Sequence, residues 1–134
     1  MRRKRAAARA ALLLVGHGSR VGAANLLLRR LARDLRTRFP GRIIEVCFLE
    51  AARPGIPAGI ETCVSRGASR ILLVPYFLYL GGHVRRDLPA AAARGRARHR
   101  GLQIRIAAPL GADPRLVALV TRRVRRGLRD SRWI

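Results

Sequence analysis

Leu12 to Arg20 reads LLLVGHGSR, a short apolar run that stops at a histidine set between two glycines. Val15 is the last residue of the run that favours burial. Gly16 and Gly18 then permit a sharp turn, since glycine adopts backbone angles that side chains forbid. His17 is therefore expected on a bend at the end of a buried strand. A second stretch has the same plan: Ile71 to Leu80, ILLVPYFLYL, runs into Gly81, Gly82 and His83. In open α/β sheets, ligands bind outside the carboxyl ends of the strands. Two glycine-hinged strand ends, each delivering one imidazole, thus define both the fold and the candidate site.

The segments between these two ends alternate in period. Ala24, Leu27, Leu28, Leu31 and Leu35 recur at helical spacing and predict a helix from about Gly22 to Arg38, ended by Pro40-Gly41. Ile43 to Leu49 is short and rich in β-formers, a second strand with Glu50 at its far end and Arg53-Pro54-Gly55 as a loop. Ile60 and Val64 mark a helix over Ile56 to Arg66, capped by Gly67. Ile71 to Tyr76 is the third and most apolar strand. Beyond His83, Asp87 is expected to cap a helix reaching about His99, with Pro89 tolerable only in its first turn. Gln103 to Ala107 is a fourth strand, closed by Pro109 and Gly111. Asp113-Pro114 opens a last helix with Val117, Val120, Val124 and Leu128 on one face.

This alternation predicts an α/β fold: a four-stranded parallel sheet with helices on both faces, in a single domain over residues 10–130. The strands are continuous apolar runs, as burial on both faces requires. All the strand ends then share one rim, which gathers His17, Glu50, His83 and Gly111.

Composition narrows the partners. The chain has 134 residues, with 29 Lys plus Arg against 7 Asp plus Glu, a formal charge of +22, and Lys4 is the one lysine. Such a balance favours anionic partners or else coats solvated helix faces, and the arginines are spread over the whole chain. Aromatic content is only 4%, so stacking platforms for single-stranded nucleic acid are poorly supplied. Cys47 and Cys63 are too far apart for a metal knuckle and sit in apolar patterns, so they read as core residues. The start, MRRKRAAARAALLLVG, imitates a secretory leader, but Arg9 interrupts its apolar part and its leucines run straight into GHGSR. Residues 1–9 read as a loose basic tail and the chain as cytoplasmic, with no membrane span expected.

Several chemistries lack their motif. No lysine follows a glycine in a phosphate-binding loop, no strand leads into GxGxxG, and Ser19 has no GxSxG elbow. Two histidines and one carboxylate remain. Neutral imidazole is both the commonest ligand for divalent transition metals and a general base near neutral pH. His17 and His83 carry the functional reading. His99, in an arginine-rich helix tail, reads as structural. Glu50 is a metal ligand, a base, a partner orienting an imidazole, or a surface charge.

These residues resemble the small sirohydrochlorin chelatases, the short cobaltochelatase type of the class II tetrapyrrole chelatases. The resemblance covers about residues 11–128. It rests on VGHGSR at 15–20, FLE at 48–50, the run IPAGIETCVSRGASRILLVPYFL at 56–78, GGHVRRDLP at 81–89 and APLGADP at 108–114. It implies insertion of a divalent metal (cobalt, iron or nickel) into sirohydrochlorin, with release of two pyrrole protons and no tightly bound cofactor. It also implies that His17 binds metal and accepts a proton, that His83 is the second metal ligand, and that Arg53 and Leu78, Tyr79, Leu80, Gly81 and Gly82 contact the macrocycle; the residue chemistry adds Glu50 as a third metal ligand. A homodimer is implied for a chain of this length. Two departures stand out: Val21-Gly22 follows GHGSR where relatives often have an acidic residue and proline, and Arg53 stands where they frequently carry glutamate. A basic nucleic-acid-binding protein and a metal-delivery protein that inserts nothing are the rival readings.

Overall fold

The computed structural model describes residues 9–133; the basic tail expected at the amino terminus falls, apart from Arg9, outside the described residues. Eight elements alternate: β1 (Ala10–Gly16), α1 (Gly22–Arg38), β2 (Ile43–Phe48), α2 (Ile56–Ser65), β3 (Arg70–Pro75), α3 (Val84–Arg98), β4 (Gln103–Ile106) and α4 (Pro114–Arg129). The strands form one sheet in the order β2-β1-β3-β4, and every pairing is parallel. The expected α/β fold is the observed one.

The sheet is packed on both faces. Leu13 and Val15 of β1 join Cys47, Ile71 and Leu73 in a cluster closed by Ile56, Ile60 and Cys63 of α2 and by Val84, Leu88, Ala91 and Ala92 of α3. On the opposite face Leu14, Ile44, Val46 and Phe48 meet Leu28 and Ala32 of α1. Gly59 and Gly95 let α2 and α3 approach closely. A Cβ at Gly59 would lie 2.9 Å from the Cys47 Cβ, and one at Gly95 would lie 2.9 Å from both Ile60 Cδ1 and Ile104 Cδ1.

One expectation fails, for a packing reason. The third helix begins at Val84, with His83 at its N-cap, so Asp87 lies within the first turn and Pro89 inside the helix. Val84 and Leu88, both buried, are one turn apart and need helical geometry to enter the core together. The proline removes the bond to the Arg85 carbonyl, but Arg85 is exposed and water can serve it. The last helix opens as expected, Asp113 capping it and accepting from the Arg115 N–H at 2.8 Å. Among the described residues its apolar face is left exposed, and no residue of α4 is buried. A smaller departure is Leu27 of α1, which is 60% exposed rather than part of the buried stripe.

Both cysteines are buried and unbridged, as their patterns implied. Burial pushes the Cys63 thiol from 9.0 up to about 12, with Glu45 adding to the shift and Arg66 opposing it. Burial, reinforced by Cys63, pushes Cys47 up as well. The folded state therefore holds both as neutral thiols. Their contribution to stability is complete below the unfolded value of 9.0 and is lost as pH rises toward about 12. Native protein at pH 8 is expected to be inert to a thiol-reactive disulfide dye and to release two equivalents in denaturant; rapid native labelling would contradict this burial. Gly59→Val is expected to cost about 1–3 kcal/mol in urea unfolding, because its methyls enter the space of Leu13 and Cys47.

Candidate metal and macrocycle site

The parallel ladder does not stop at the strand ends. The Leu49 N–H donates to the Gly16 carbonyl at 2.9 Å, and the Glu50 N–H donates to the His17 carbonyl at 3.1 Å. Glu50 is thereby held abreast of His17, and their side chains approach to 3.7 Å between Oε1 and Nε2. Both are more than half exposed, open to solutes. Gly18 makes this approach possible: it has φ +95°, and a Cβ there would overlap the Glu50 carbonyl oxygen. The glycine after His17 is thus a requirement of both conformation and space.

The rest of the GHGSR loop is tied to α1. Asn25 accepts from the Ser19 N–H at 3.0 Å and donates from its amide to the Ser19 carbonyl at 2.7 Å. The Ser19 hydroxyl accepts from the Val21 N–H at 3.0 Å. Nothing in the hydrophobic pattern singles out Asn25; a polar residue half-buried near a helix start was the available clue.

On the other side of β1, the Tyr76 N–H donates to the Val15 carbonyl at 2.9 Å, which carries the exit of β3 up beside His17. The Phe77 ring lies 6.1 Å from the imidazole, centroid to centroid, tilted by 55°. The loop after β4 pins this exit, with Leu110 and Gly111 N–H groups donating to Phe77 and Leu78 carbonyls at 2.8 and 2.7 Å. Gly111 at the rim therefore serves architecture. Gly82, at φ +49°, completes the turn into α3. The Tyr79 ring lies over Gly81, where a Cβ would meet it at 2.9 Å.

Together these loops enclose an open pocket of about 540 Å³ lined by His17, Phe77, Leu78, Tyr79, Gly81, Gly82, His83 and Val84. A second cleft of about 400 Å³ adjoins it, lined among others by Glu50, His83, Asp87 and Arg94. His83 is common to both. The two imidazoles are thus brought to one pocket, and Glu50 is a neighbour of each. Among the described residues, no three His, Cys, Asp or Glu side chains cluster closely enough to hold an ion as they stand. Of the expected His17–His83–Glu50 set, His17 and Glu50 approach each other directly, and His83 shares a pocket lining with each.

Two expected ring contacts stand apart from this pocket. Leu80 packs against the core cluster of α2 and α3, because the chain must dip inward before the glycine turn. Arg53 is exposed outside the lining, and its carbonyl accepts from the Arg29 guanidinium at 3.2 Å. Phe77 lines the pocket and was not among the expected contacts. His99 lies 3.0 Å from the Glu61 carboxylate, between the end of α3 and α2, which accords with a structural role.

A parallel α/β domain whose strand ends present two histidines to an apolar, glycine-walled pocket has the form of a tetrapyrrole chelatase domain. The chain belongs to the CbiX family, whose model matches residues 11–127. It is 33% identical over 115 residues to the sirohydrochlorin ferrochelatase of Bacillus subtilis, covering 86% of this chain and 44% of that protein. It is 32% identical over 120 residues to the sirohydrochlorin cobaltochelatase of Sulfurisphaera tokodaii, covering 90% of this chain and 95% of the other. The crystal structure of the sirohydrochlorin chelatase SirB from Bacillus subtilis subspecies spizizenii, in complex with cobalt, superposes with a TM-score of 0.81 at 33% identity, over 88% of this chain and 50% of that one. The chain spans about half the length of the longer relatives it matches.

The loop anchors give a direct test. Asn25→Ala removes both bonds to Ser19 and is expected to cost about 1–3 kcal/mol in thermal or urea unfolding. Gly18→Ala is expected to shift the His17 imidazole resonances in an NMR spectrum, since the methyl must displace the Glu50 carbonyl; unchanged resonances would contradict the close approach described.

Proposed function

We propose that the chain is a sirohydrochlorin chelatase that inserts a divalent metal, Co²⁺ by first preference, into the tetrapyrrole and releases two protons. The observation that carries this reading is the single pocket shared by His17 and His83 at glycine-hinged strand ends. In the reaction the ring loses two N–H protons and gains the metal on its four nitrogens, so charge balances as one divalent ion enters and two protons leave. His17 and His83 hold the incoming ion with open positions and yield it to the ring. His17 also takes up a departing proton. The Glu50 carboxylate, 3.7 Å from Nε2, orients the His17 imidazole meanwhile.

The macrocycle lies against Leu78, Tyr79 and the bare backbone of Gly81-Gly82, with Phe77 as the floor beside His17. Arg53, outside the pocket lining, is suited to a carboxylate on the ring edge rather than to the metal, because a cation there repels a divalent ion. Leu80 supports this wall from within. Cobalt is preferred because the relative of matching length, from Sulfurisphaera tokodaii, is named a cobaltochelatase. That choice leads toward cobalamin; iron, as in the Bacillus subtilis relative's name, leads toward sirohaem. Nickel remains the third candidate. Among the described residues no helix is long and apolar enough to cross a membrane. The proposed enzyme works in the cytoplasm as a homodimer.

The decisive experiment is anaerobic incubation of the protein with sirohydrochlorin and Co²⁺, Ni²⁺ or Fe²⁺, followed by absorption spectroscopy. The metal-free spectrum is expected to convert faster than the uncatalysed control, fastest with Co²⁺. His17→Ala and His83→Ala are each expected to lose at least ~100-fold, the lower range for removing a general base. Conversion at the control rate for every metal would overturn the enzyme reading, and retained metal binding would then indicate a delivery protein.

A further inference from the structure

Along α1, Arg29, Arg33 and Arg36 stand at spacings of four and three, so their side chains leave the helix on one face. That face borders β2, an outer strand of the sheet. The three arginines line one cleft of about 290 Å³, bordered also by Glu45, Val46 and Pro54. It shares no lining residue with the pocket of His17 and His83. We propose that this cleft is an anion site for a small molecule that carries two or more phosphate groups. The site stands apart from the chelatase reading and does not depend on it.

Two of the guanidiniums are held in place by backbone. Arg29 Nη2 donates to the Arg53 carbonyl at 3.2 Å, and its guanidinium carbon lies 5.7 Å from the centre of the Phe48 ring. Arg36 Nη2 donates to the Ile44 carbonyl at 2.9 Å. A guanidinium has five N–H donors, so each anchor leaves most of the fork for a ligand. Arg33 stands between them, exposed. The carboxylate of the cleft is already engaged, because Glu45 Oε1 lies 2.6 Å from Nη1 of Arg66 at the C-cap of α2. Like charges three and four residues apart on a helix repel one another, and a bound anion relieves that repulsion.

The donors select phosphate. A carboxylate presents two oxygens in one plane, enough for a single guanidinium fork. A phosphate group presents three acceptor oxygens around a tetrahedron and takes forks from two arginines at once. Positions 29 and 36 are about 10 Å apart along the helix axis, at 1.5 Å per residue. One phosphate group reaches a neighbouring pair of these arginines, and a chain of two or three reaches all of them. The volume falls at the low end for small-ligand sites, which suits pyrophosphate or the phosphate tail of a nucleotide better than a nucleic-acid strand. The arginines of α4 offer no such enclosure: Arg122, Arg126 and Arg129 lie exposed on a helix with no buried residue.

The test is calorimetric titration of the full chain with pyrophosphate at about 150 mM salt, where diffuse attraction is screened. The buffer is stripped of divalent metal, so that no ion at His17 and His83 recruits the ligand. One pyrophosphate per chain is expected to bind saturably, at least about tenfold more tightly than inorganic phosphate or citrate. Arg33→Gln is expected to keep the circular dichroism of wild type and to weaken pyrophosphate about tenfold. Arg126→Gln removes the same charge from α4 and is expected to change the affinity less than about twofold. In the NMR spectrum of labelled protein, pyrophosphate is expected to move the Nε–H signals of Arg29, Arg33 and Arg36. ADP serves as a second probe: tighter binding than pyrophosphate assigns the site to nucleotides and equal or weaker binding to free polyphosphate, either of which accords with the proposal. Absence of saturable binding, equal losses in Arg33→Gln and Arg126→Gln, or citrate matching pyrophosphate overturns it. A short DNA duplex that displaces pyrophosphate one for one overturns it in favour of a nucleic-acid surface. His17→Ala is expected to bind pyrophosphate as wild type does; loss of binding there would place the anion at the metal centre and overturn the separate site.

Discussion

The structure depends on the backbone ladder that ties β1 to β2 and β3 and continues past all three. Its hydrogen bonds from Leu49 to Gly16, Glu50 to His17 and Tyr76 to Val15 set the heights of three separate loops on one rim. Register is strongly specified here because both faces of β1 are buried. A slip of one residue would carry Leu13 and Val15 to the opposite face and Leu14 into the α2 side. The position of His17 relative to Glu50 is therefore fixed by packing some residues away. The exposed contact between the two side chains itself adds little stability, because both are open to solvent. Its value lies in orientation.

The rim divides its chemistry between two sides of His83. One side is apolar and glycine-walled, suited to the face of a flat ring. The other carries Glu50, Asp87 and Arg94, suited to charged solutes. The proposed reaction, which joins a hydrated ion to a hydrophobic macrocycle, calls for both environments at one point, and His83, at the N-cap of α3, lines both. His17 faces it across the ring pocket, steadied by Phe77 and by a loop that Asn25 holds from α1. Apart from Arg94 in the cleft and Arg53 at the proposed ring edge, most of the described arginines coat exposed helix faces, α4 above all.

Much of this was legible in the chain. The helix Gly22–Arg38 lies where its leucine spacing put it, and the four apolar runs became four parallel strands within a residue or two at each end. His17 and His83 were readable as site residues because glycines beside a buried strand end announce a turn on the ligand-binding rim. Leu80 lies outside the pocket lining for a related reason: adjacency to a glycine turn says that a residue is near the rim, yet not which way its side chain faces. Asn25 escaped notice because its role is a pair of bonds to backbone six residues away, which leaves no trace in periodicity. The early start of α3 escaped because Pro89 argued locally for a later one, and only burial of Val84 with Leu88 overrode it.

What the sequence by itself determined was the alternation of strands and helices, the burial of both sheet faces and the two histidines at strand ends. These follow from local geometry, since hydrophobic period and glycine placement act over a few residues. Tertiary structure alone decided that Glu50 stands abreast of His17, that the imidazoles share one pocket, and that the apolar face of α4 is left exposed among the described residues. Periodicity reveals that a helix has an apolar face but is silent on what that face meets. That depends on where the ladder of parallel hydrogen bonds leaves the chain, and it is settled only when all the strands have paired.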